Sequence, residues 1–175
     1  TPEAAAELIE EAPSGLAVAM IKDLDSSVAA KIMEELHTDT QADLVNEMRK
    51  SDAEAILSAM DVESADDVRK LSQYPPDTAG GLMELEAFTF THADSVGTIL
   101  KRMIEADEEF ERHRGQHPYV LDETGKLLGV VSLRDLLRSK RAVSLLEIMT
   151  PALSVKAETS QDELATLFDE NPFLG

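Results

Sequence analysis

Ser72-Gln73-Tyr74-Pro75-Pro76-Asp77-Thr78-Ala79-Gly80-Gly81-Leu82-Met83 divides this chain of 175 residues into two parts of different sequence character. Before it the sequence is rich in alanine and helical in period, and after it short β-branched or aromatic runs alternate with helical segments. The adjacent prolines end a helix, because neither has an amide hydrogen and each disfavours helical geometry in its predecessor. Asp77 and Thr78 can begin a new turn, and Gly80-Gly81 permits close backbone approach or a positive φ. The stretch therefore predicts a domain boundary.

The composition limits the classes of function. Acidic residues outnumber basic residues by 35 to 16, a net charge of −19. This argues against a nucleic-acid partner, because phosphates need a basic surface. It permits cation binding, and it also suits simple solubility. The chain has no cysteine, which excludes disulfides and thiol chemistry. There is no run of about 18 apolar residues that would predict a membrane span, and no signal-peptide pattern.

Residues 1–72 contain an internal repeat, because apolar residues recur in columns spaced 12 apart. Twelve residues suffice for a helix of about two turns and a tight turn. Helices this short are unstable alone, so they must stack and bury their apolar faces on one another. The sequence predicts a superhelical repeat domain with starts at Ser26 or Ser27, Thr38, Ser51 and Ser64, two of them capping boxes with Gln41 and Glu54. The columns are Leu24, Leu36, Met48, Met60; Ile32, Leu44, Ile56, Val68; and Met33, Val45, Leu57.

The sequence pattern of residues 84–146 predicts a β-α-β-β-α unit. Strands are expected at 87–91, 118–122 and 127–132, with turn residues at 123–126. Helices are expected from 93 to about 106 and from Ser132 to about 139. A second, incomplete unit follows, with a strand at 152–155 and an amphipathic helix at 159–168. The predicted fold class is α+β multidomain, an N-terminal α-helical repeat domain followed by an α/β domain and the start of another.

Three stretches of the sequence resemble parts of one known family of proteins. The junction Tyr74 to Met83 resembles the link between the helical domain and the first CBS domain of MgtE magnesium transporters. Residues 129–137, Gly-Val-Val-Ser-Leu-Arg-Asp-Leu-Leu, look like the strand-to-helix signature of CBS domains. Residues 143–151 resemble the linker between paired CBS units. The resemblance implies an N-terminal helical domain at 1–72, a junction at 73–83, a first CBS domain at 84–146 and the start of a second at 147–175.

The same resemblance implies partners and a location. CBS units pair through their sheet faces, so a homodimer through the CBS domains is expected. The intact protein would continue into its own transmembrane domain, which places this region at the cytoplasmic face of the cell membrane. Both expectations come from the family and not from the composition.

Asp39 and Asp43 are the most promising metal ligands, because residues four apart share one face of a helix. At about 6 Å two carboxylates repel by about 0.7 kcal/mol in water and by roughly 2.8 at an effective dielectric constant near 20. A divalent ion relieves this repulsion, and Mg²⁺ needs only one or two carboxylates besides its waters. Asp39 could instead serve the helix cap.

The family resemblance extends this set. In MgtE proteins Mg²⁺ bridges acidic residues of the helical domain and of the second CBS unit and so closes the domains. Matching motifs place Asp39 and Asp43 on the helical-domain acids, Glu158 on the acid before the CBS helix and Glu170 on the one at its end. The chain departs from the family pattern at Ser160, where an acid is usual.

Ser132 and Asp135 carry a competing interpretation. In CBS modules a Ser/Thr-x-x-Asp pair often binds the ribose of an adenine nucleotide, which would make ATP a ligand. N-capping explains the same spacing fully.

The leading hypothesis is therefore a non-enzymatic Mg²⁺ sensor that gates an MgtE-type transporter, with Mg²⁺ as regulatory ligand. The chain has no cysteine nucleophile, no nucleophile elbow and no glycine-rich phosphate loop. The alternative is an adenine-nucleotide-sensing CBS module on another helical-repeat protein. A third is a scaffold whose repeat domain binds a protein partner.

Overall fold

The computed structural model describes residues 1–105 and 117–171 and divides them into two compact units. The helical unit comprises Thr1–Leu85 and Lys156–Asn171, and the sheet unit comprises Glu86–Val155. The mixture of helices and a small sheet confirms the predicted α+β class. Within the described residues no helix is long and apolar enough to cross a membrane.

Six short helices of the helical unit follow the 12-residue period. They are α1 (Pro2–Glu10), α2 (Ser14–Lys22), α3 (Ser26–Met33), α4 (Thr38–Glu47), α5 (Lys50–Leu57) and α6 (Val62–Leu71). Each begins 12 residues after the previous one. Alternate helices pack together, α1 on α3, α2 on α4, α3 on α5 and α4 on α6. The predicted stack of short helices is confirmed.

The repeat columns form the core of this unit. Ile32, Leu44, Ile56 and Val68 are each at most 6% exposed. The two earlier positions of the same column, Met20 and Leu8, are 37% and 64% exposed. Among the described residues α1 and α2 have no helix two positions earlier to cover them, so the apolar column emerges at the surface at this end.

The predicted helix caps are wrong in detail. The cap of α3 is Asp25, which accepts from the Ser27 N–H at 2.9 Å, and the cap of α6 is Asp61, which accepts from the Glu63 N–H at 3.0 Å. Thr38 is the first residue of α4 rather than its cap. Ser51 and Ser64 likewise lie inside their helices. Only α3 and α6 have a side-chain cap among these four helices, whereas the residues before α4 and α5 make no such bond. The apolar period therefore determines where each helix begins, whether or not a cap residue is present.

The expected capping boxes are also absent from α4 and α5. The Gln41 side chain is buried and donates to the Leu36 carbonyl at 2.7 Å. Glu54 accepts from the Arg69 guanidinium at 2.9 Å. Both side chains connect repeats instead of closing their own helices.

Replacing the Asp61 cap by alanine should lower the free energy of unfolding by about 1 kcal/mol, because the Glu63 N–H loses its acceptor. Ser51→Ala is the matched control, since the Ser51 hydroxyl only donates to the neighbouring Asp52 carboxylate. That change should stay within about 0.5 kcal/mol of the unchanged chain. Urea denaturation of both variants measures the difference, and equal losses would contradict the cap assignment.

Three further segments complete the helical unit. The residues after α6 form a turn and the short helix α7 (Ala79–Leu82), capped by Thr78. The last helix of the chain (Gln161–Glu170), for which the label α11 is used below, is capped by Ser160 in a capping box with Glu163. The segment before it pairs with the turn before α7 through an isolated bridge between Thr78 and Ser160.

The sheet unit contains four short strands in the order β1-β2-β3-β4. β1 (Thr89–Thr91) is parallel to β2 (Tyr119–Leu121), and β3 (Leu127–Val130) is antiparallel to β2 and to β4 (Thr150–Pro151). The helices are α8 (Val96–Glu105), α9 (Leu133–Arg138) and α10 (Leu145–Ile148). The core consists of buried apolar residues: Phe88, Phe90, Val96, Ile99, Val120, Val131, Leu136 and Leu145.

The order of elements in this unit agrees with the prediction, apart from one strand. The turn at 123–126 has Gly125 at φ 82°, a conformation that glycine adopts without strain. The strand expected at 152–155 is wrong, because the pairing with β3 instead uses Thr150 and Pro151. Gly129 permits this close pairing, since a Cβ there would lie 2.5 Å from the Thr150 carbonyl oxygen. The proposed boundaries of the second CBS unit stay a prediction.

Candidate metal site on the helical unit

Asp39 and Asp43 lie on α4, which begins at Thr38 immediately after a turn. Their spacing of four residues puts both carboxylates on one face of this helix. Asp39 is half-buried in the first turn, where the helix dipole favours a negative charge. Its Oδ1 accepts from the Thr40 N–H at 2.7 Å. Asp43 is exposed one turn further along.

The charged groups that shift the pKa of Asp43 are all negative. Desolvation by the surrounding protein raises the pKa of Asp43, and the negative charges of Asp39 and Glu47 raise it further. A raised pKa means that the charged carboxylate is less stable in this environment than it would be in water. A cation bound beside Asp43 would reverse this effect.

The two carboxylates line a small pocket of about 10 Å³ that is open to solvent, within the helical unit. α4 provides one side of the pocket, including the Asn46 amide, which lies three residues beyond Asp43 on the same helical face. The end of α6, the turn that follows it and α7 provide the other lining residues. The pocket residues are Asp39, Ala42, Asp43, Asn46, Leu71, Tyr74, Pro76, Gly80, Gly81 and Met83. Two aspartates and an asparagine thus line the same small pocket.

Close packing holds the turn in this position. The Thr78 hydroxyl donates to the Pro75 carbonyl at 2.7 Å, which folds the chain back after the two prolines. Gly80 lies against the Tyr74 ring, where a Cβ would come within 2.5 Å of Cγ. Gly81 lies against the main chain of Pro75 and Pro76 in the same way. The two glycines therefore serve close approach rather than positive φ.

Main-chain hydrogen bonds attach the Glu158 segment to the start of α7. The Gly80 N–H donates to the Ala157 carbonyl at 2.7 Å, and the Ala79 N–H donates to the Thr159 carbonyl at 2.8 Å. Glu158 lies between these two acceptors and is exposed. It is thus attached to a wall of the pocket lined by Asp39 and Asp43, although its role as a metal ligand stays a prediction.

Glu170 has a different position. It is the last residue of α11 and is exposed. The first residue of this helix donates its N–H to the Asp77 carbonyl at 2.8 Å. Because ten residues of α-helix extend about 15 Å, Glu170 is separated from the pocket wall by the length of α11. The structure does not bring this predicted ligand together with the others.

Ser132 and Asp135 form the N-terminus of α9 in the sheet unit. The Ser132 hydroxyl donates to Asp135 Oδ2 at 2.6 Å and accepts from the Asp135 N–H at 3.1 Å. This reciprocal pair is the expected cap. The nucleotide-binding role of the two residues stays a prediction.

Asn46 and Tyr74 contribute to the pocket but were not among the predicted site residues. Asn46 could have been found from its spacing, because positions 39, 43 and 46 follow one helical stripe. Tyr74 gave no comparable signal, since its contact with Gly80 depends on how the turn folds back.

The raised pKa of Asp43 predicts a pH-dependent effect of Asp43→Asn. When the folded-state pKa lies above the unfolded value, the folded state binds more protons, and stability falls as pH rises through this range. The variant should therefore melt higher than the unchanged chain at neutral pH, and the difference should disappear in acid below both pKa values. Thermal melts across this range measure it.

Asp122→Asn provides a control of opposite sign. Hydrogen bonds from the Thr124 hydroxyl and from the Lys126 and Thr124 N–H groups lower the pKa of Asp122. This variant should melt lower at neutral pH. A melting temperature of Asp43→Asn that stays below that of the unchanged chain at every pH would contradict the electrostatic assignment.

Comparison with known proteins matches both parts of the chain. Residues 1–77 match the family described as MgtE intracellular N domain, and residues 79–142 match the CBS domain. A magnesium transporter MgtE of Thermus thermophilus is 34% identical over 115 residues, which is 65% of this chain and 25% of that protein. The Bacillus subtilis magnesium transporter MgtE is 31% identical over 123 residues, 67% of this chain and 26% of that protein.

A solved structure resembles the whole chain. The crystal structure of the cytosolic domain of the Mg²⁺ channel MgtE in complex with ATP has a TM-score of 0.85 and 30% identity, covering 99% of this chain and 71% of that one. The present chain spans about a quarter of the length of the curated transporters that it matches.

Proposed function

Because this chain belongs to the MgtE family of magnesium transporters and corresponds to its cytosolic domain, we propose that it senses Mg²⁺ and controls ion transport by the intact protein. Asp39 and Asp43 bind the ion in this proposal, with Glu158 as a further ligand. Glu170 takes part only if α11 changes its position on binding.

The observation that carries the proposal is the pocket that Asp39 and Asp43 line together with α7, whose first residues are hydrogen-bonded to the Glu158 segment. Mg²⁺ takes oxygen ligands at about 2.0–2.1 Å and keeps several of its waters. Such an ion needs only one or two carboxylates from the protein, and Asn46 and the waters can complete its shell. The raised pKa of Asp43 supports a site that is electrostatically prepared for a cation.

An ion bound in this pocket would change how firmly one segment of the helical unit is held. A dication between α4 and Glu158 would hold residues 157–159 against the start of α7. Without the ion the repulsion between the carboxylates opposes this arrangement. The occupied and empty states thus differ in the position of the segment that leads into α11, and differential binding to two states is what a ligand-controlled switch requires.

The intact protein supplies the response in this proposal. The effector is its own transmembrane domain, at the cytoplasmic face of the cell membrane, and the CBS domains pair two copies into a homodimer. High Mg²⁺ inside the cell occupies the pocket and closes the pathway. Low Mg²⁺ empties the pocket and opens it.

The test is feedback inhibition of Mg²⁺ uptake by the intact transporter in vesicles, measured against the Mg²⁺ concentration on the cytoplasmic side. The variant Asp39→Asn/Asp43→Asn should require about tenfold more Mg²⁺ or higher for half-inhibition, because two charged ligands are lost. The matched control is Glu3→Gln/Glu7→Gln, an exposed pair with the same spacing on α1. Equal inhibition curves for the two variants would rule out the pocket as the sensor.

A second candidate is binding of an adenine nucleotide at the N-terminus of α9. It is favoured by the similar cytosolic domain solved in complex with ATP and by the Ser132–Asp135 pair. In this proposal the two side chains exchange their mutual hydrogen bond for bonds to a ribose. Titration with ATP should show binding that Asp135→Asn weakens and that Asp39→Asn/Asp43→Asn leaves unchanged. Absence of any ATP binding by the unchanged chain would remove this candidate.

A further inference from the structure

The fourth residue of the repeat helices is alanine in every helix from α1 to α6 except α4. The residues at this position are Ala5, Ala17, Ala29, Gln41, Ala53 and Ala65. All of them except Ala5 are at most 5% exposed, and Ala5 is partly buried against the same core. Small side chains allow packed helices to approach closely, because the distance between helix axes depends on the side chains at the contact. Glutamine at position 41 is therefore an exception to the pattern that builds this core.

The burial of Gln41 is unusual for a polar side chain. Gln41 is 4% exposed, and no other polar residue is buried in the described part of the chain. Its Nε2 donates to the Leu36 carbonyl at 2.7 Å, whereas its Oε1 accepts no hydrogen bond from the described residues. A buried amide oxygen without a partner is destabilising, and alanine would not bring one. Stability alone therefore does not explain the glutamine.

The side-chain bond of Gln41 closes the turn that leads into α4. Leu36 lies between α3 and α4, and the Gln41 N–H donates to the carbonyl of the next residue, His37, at 2.9 Å. Residue 41 is thus tied to two consecutive carbonyls of the turn, once through its main chain and once through its side chain. Asp39 lies between the tied residues. The two bonds therefore limit how the first turn of α4, and the main chain of Asp39 within it, can move.

The neighbouring helix α5 shows that this bond is not a general requirement of the repeat. Neither α4 nor α5 begins with a side-chain cap. α5 has Ala53 at the corresponding position, and the alanine side chain has no hydrogen-bond donor. α4 has the bond, and α4 is also the helix on which Asp39 and Asp43 line the pocket. The exception in the alanine column thus coincides with the pocket acids.

From this coincidence we propose that Gln41 is a positioning residue of the acidic pocket, because its bond to the Leu36 carbonyl fixes the first turn of α4 and with it the Asp39 carboxylate. The proposal rests on the Mg²⁺-sensing function and deepens it. A ligand group that is held in place before the ion arrives loses less conformational freedom on binding. Departures from the local rules of packing and polar satisfaction are expected at functional sites. Gln41 itself does not contact the ion and acts only through the turn.

Calorimetric titration with MgCl₂ at constant ionic strength tests the proposal on the unchanged chain and on Gln41→Met. Methionine is about as long as glutamine but has no amide, so it fills the same space while the bond to Leu36 is lost. Kd for Mg²⁺ should rise about tenfold, the lower end of the range for losing an outer partner of a metal ligand. The melting temperature without Mg²⁺ should change little, because removal of the unpartnered oxygen offsets the lost hydrogen bond.

Two further variants separate positioning from general packing. Gln41→Ala introduces the residue that the other five helices have at this position, and it should raise Kd as Gln41→Met does. Leu57→Met changes a buried residue of α5 without removing a side-chain hydrogen bond, and it should leave Kd unchanged. Amide hydrogen exchange gives a local measurement, because exchange at residues 38–43 should become faster in Gln41→Met but not in Leu57→Met.

The outcomes distinguish this proposal from the sensor function. An unchanged Kd in Gln41→Met and Gln41→Ala, with binding lost in Asp39→Asn/Asp43→Asn, would overturn the positioning role and leave the sensor site intact. An equal rise of Kd in Leu57→Met would also overturn the positioning role, because any change in the core would then weaken binding. Mg²⁺ binding that survives in Asp39→Asn/Asp43→Asn would instead contradict the sensor site, and the positioning role would fail with it.

Discussion

Gly81→Ala should destabilise the helical unit by about 3 kcal/mol, because the added methyl group has no space. An alanine Cβ at this position would overlap the Pro75 carbonyl oxygen and lie 2.8 Å from the Pro76 Cα. Both contacts are main-chain atoms of a double-proline turn, so they cannot rotate away as a side chain would. The turn must shift, and with it the wall of the pocket that faces Asp39 and Asp43.

Gly15→Ala is the matched control for this prediction. Gly15 lies in α2, and no atom lies within 4 Å of the Cβ position there. Alanine has a higher helix propensity than glycine, so this change should raise stability by up to about 1 kcal/mol. Urea denaturation followed by circular dichroism measures both variants. Similar small effects for the two would mean that the turn does not pack as described.

Leu44→Ala should cost about 2–5 kcal/mol, the range for removing a buried leucine side chain. Leu44 is 2% exposed and lies at the centre of the repeat column in α4. Its neighbours in the column come from helices that pack on both sides, so the cavity cannot close completely. Because only the folded chain forms the pocket, we also expect apparent Mg²⁺ binding to weaken in proportion to the unfolded fraction.

Leu8→Ala tests whether the repeat, rather than the residue type, determines this cost. Leu8 occupies the same column three repeats earlier but is 64% exposed. Its replacement should change the free energy of unfolding by less than about 0.5 kcal/mol. The same thermal and urea measurements apply. Comparable losses for the two leucines would indicate that residues 1–10 are covered in solution by a further partner.

The sequence predicts the period of the helical unit well but its caps poorly. The columns of apolar residues report which face of each helix is buried, and burial supplies most of the stability of such short helices. A cap contributes about 1 kcal/mol, and several polar residues near each start compete for it. Asp25 and Asp61 therefore cap helices for which Ser26 or Ser27 and Ser64 were equally good candidates.

The candidate site likewise combines features that the sequence predicts with features that it does not. The helical spacing of Asp39 and Asp43 is a local property, so the sequence alone placed both on one face. The attachment of the Glu158 segment to the start of α7 uses main-chain N–H and carbonyl groups, which do not depend on the side chain. Such pairing leaves no signature in the side chains.

The most direct test of the central claim is the melting temperature of the chain in MgCl₂ compared with NaCl at equal ionic strength. A ligand that binds only the folded state adds RT ln(1 + [L]/Kd), about 2.7 kcal/mol at 100 times Kd, whereas screening of the net charge acts equally in both salts. We predict an increment specific to Mg²⁺ in the unchanged chain and in Glu3→Gln/Glu7→Gln. Asp39→Asn/Asp43→Asn should melt higher without Mg²⁺ and lose most of that increment. A Mg²⁺-specific increment that survives intact in the Asp39→Asn/Asp43→Asn variant would contradict the assignment of the sensor site.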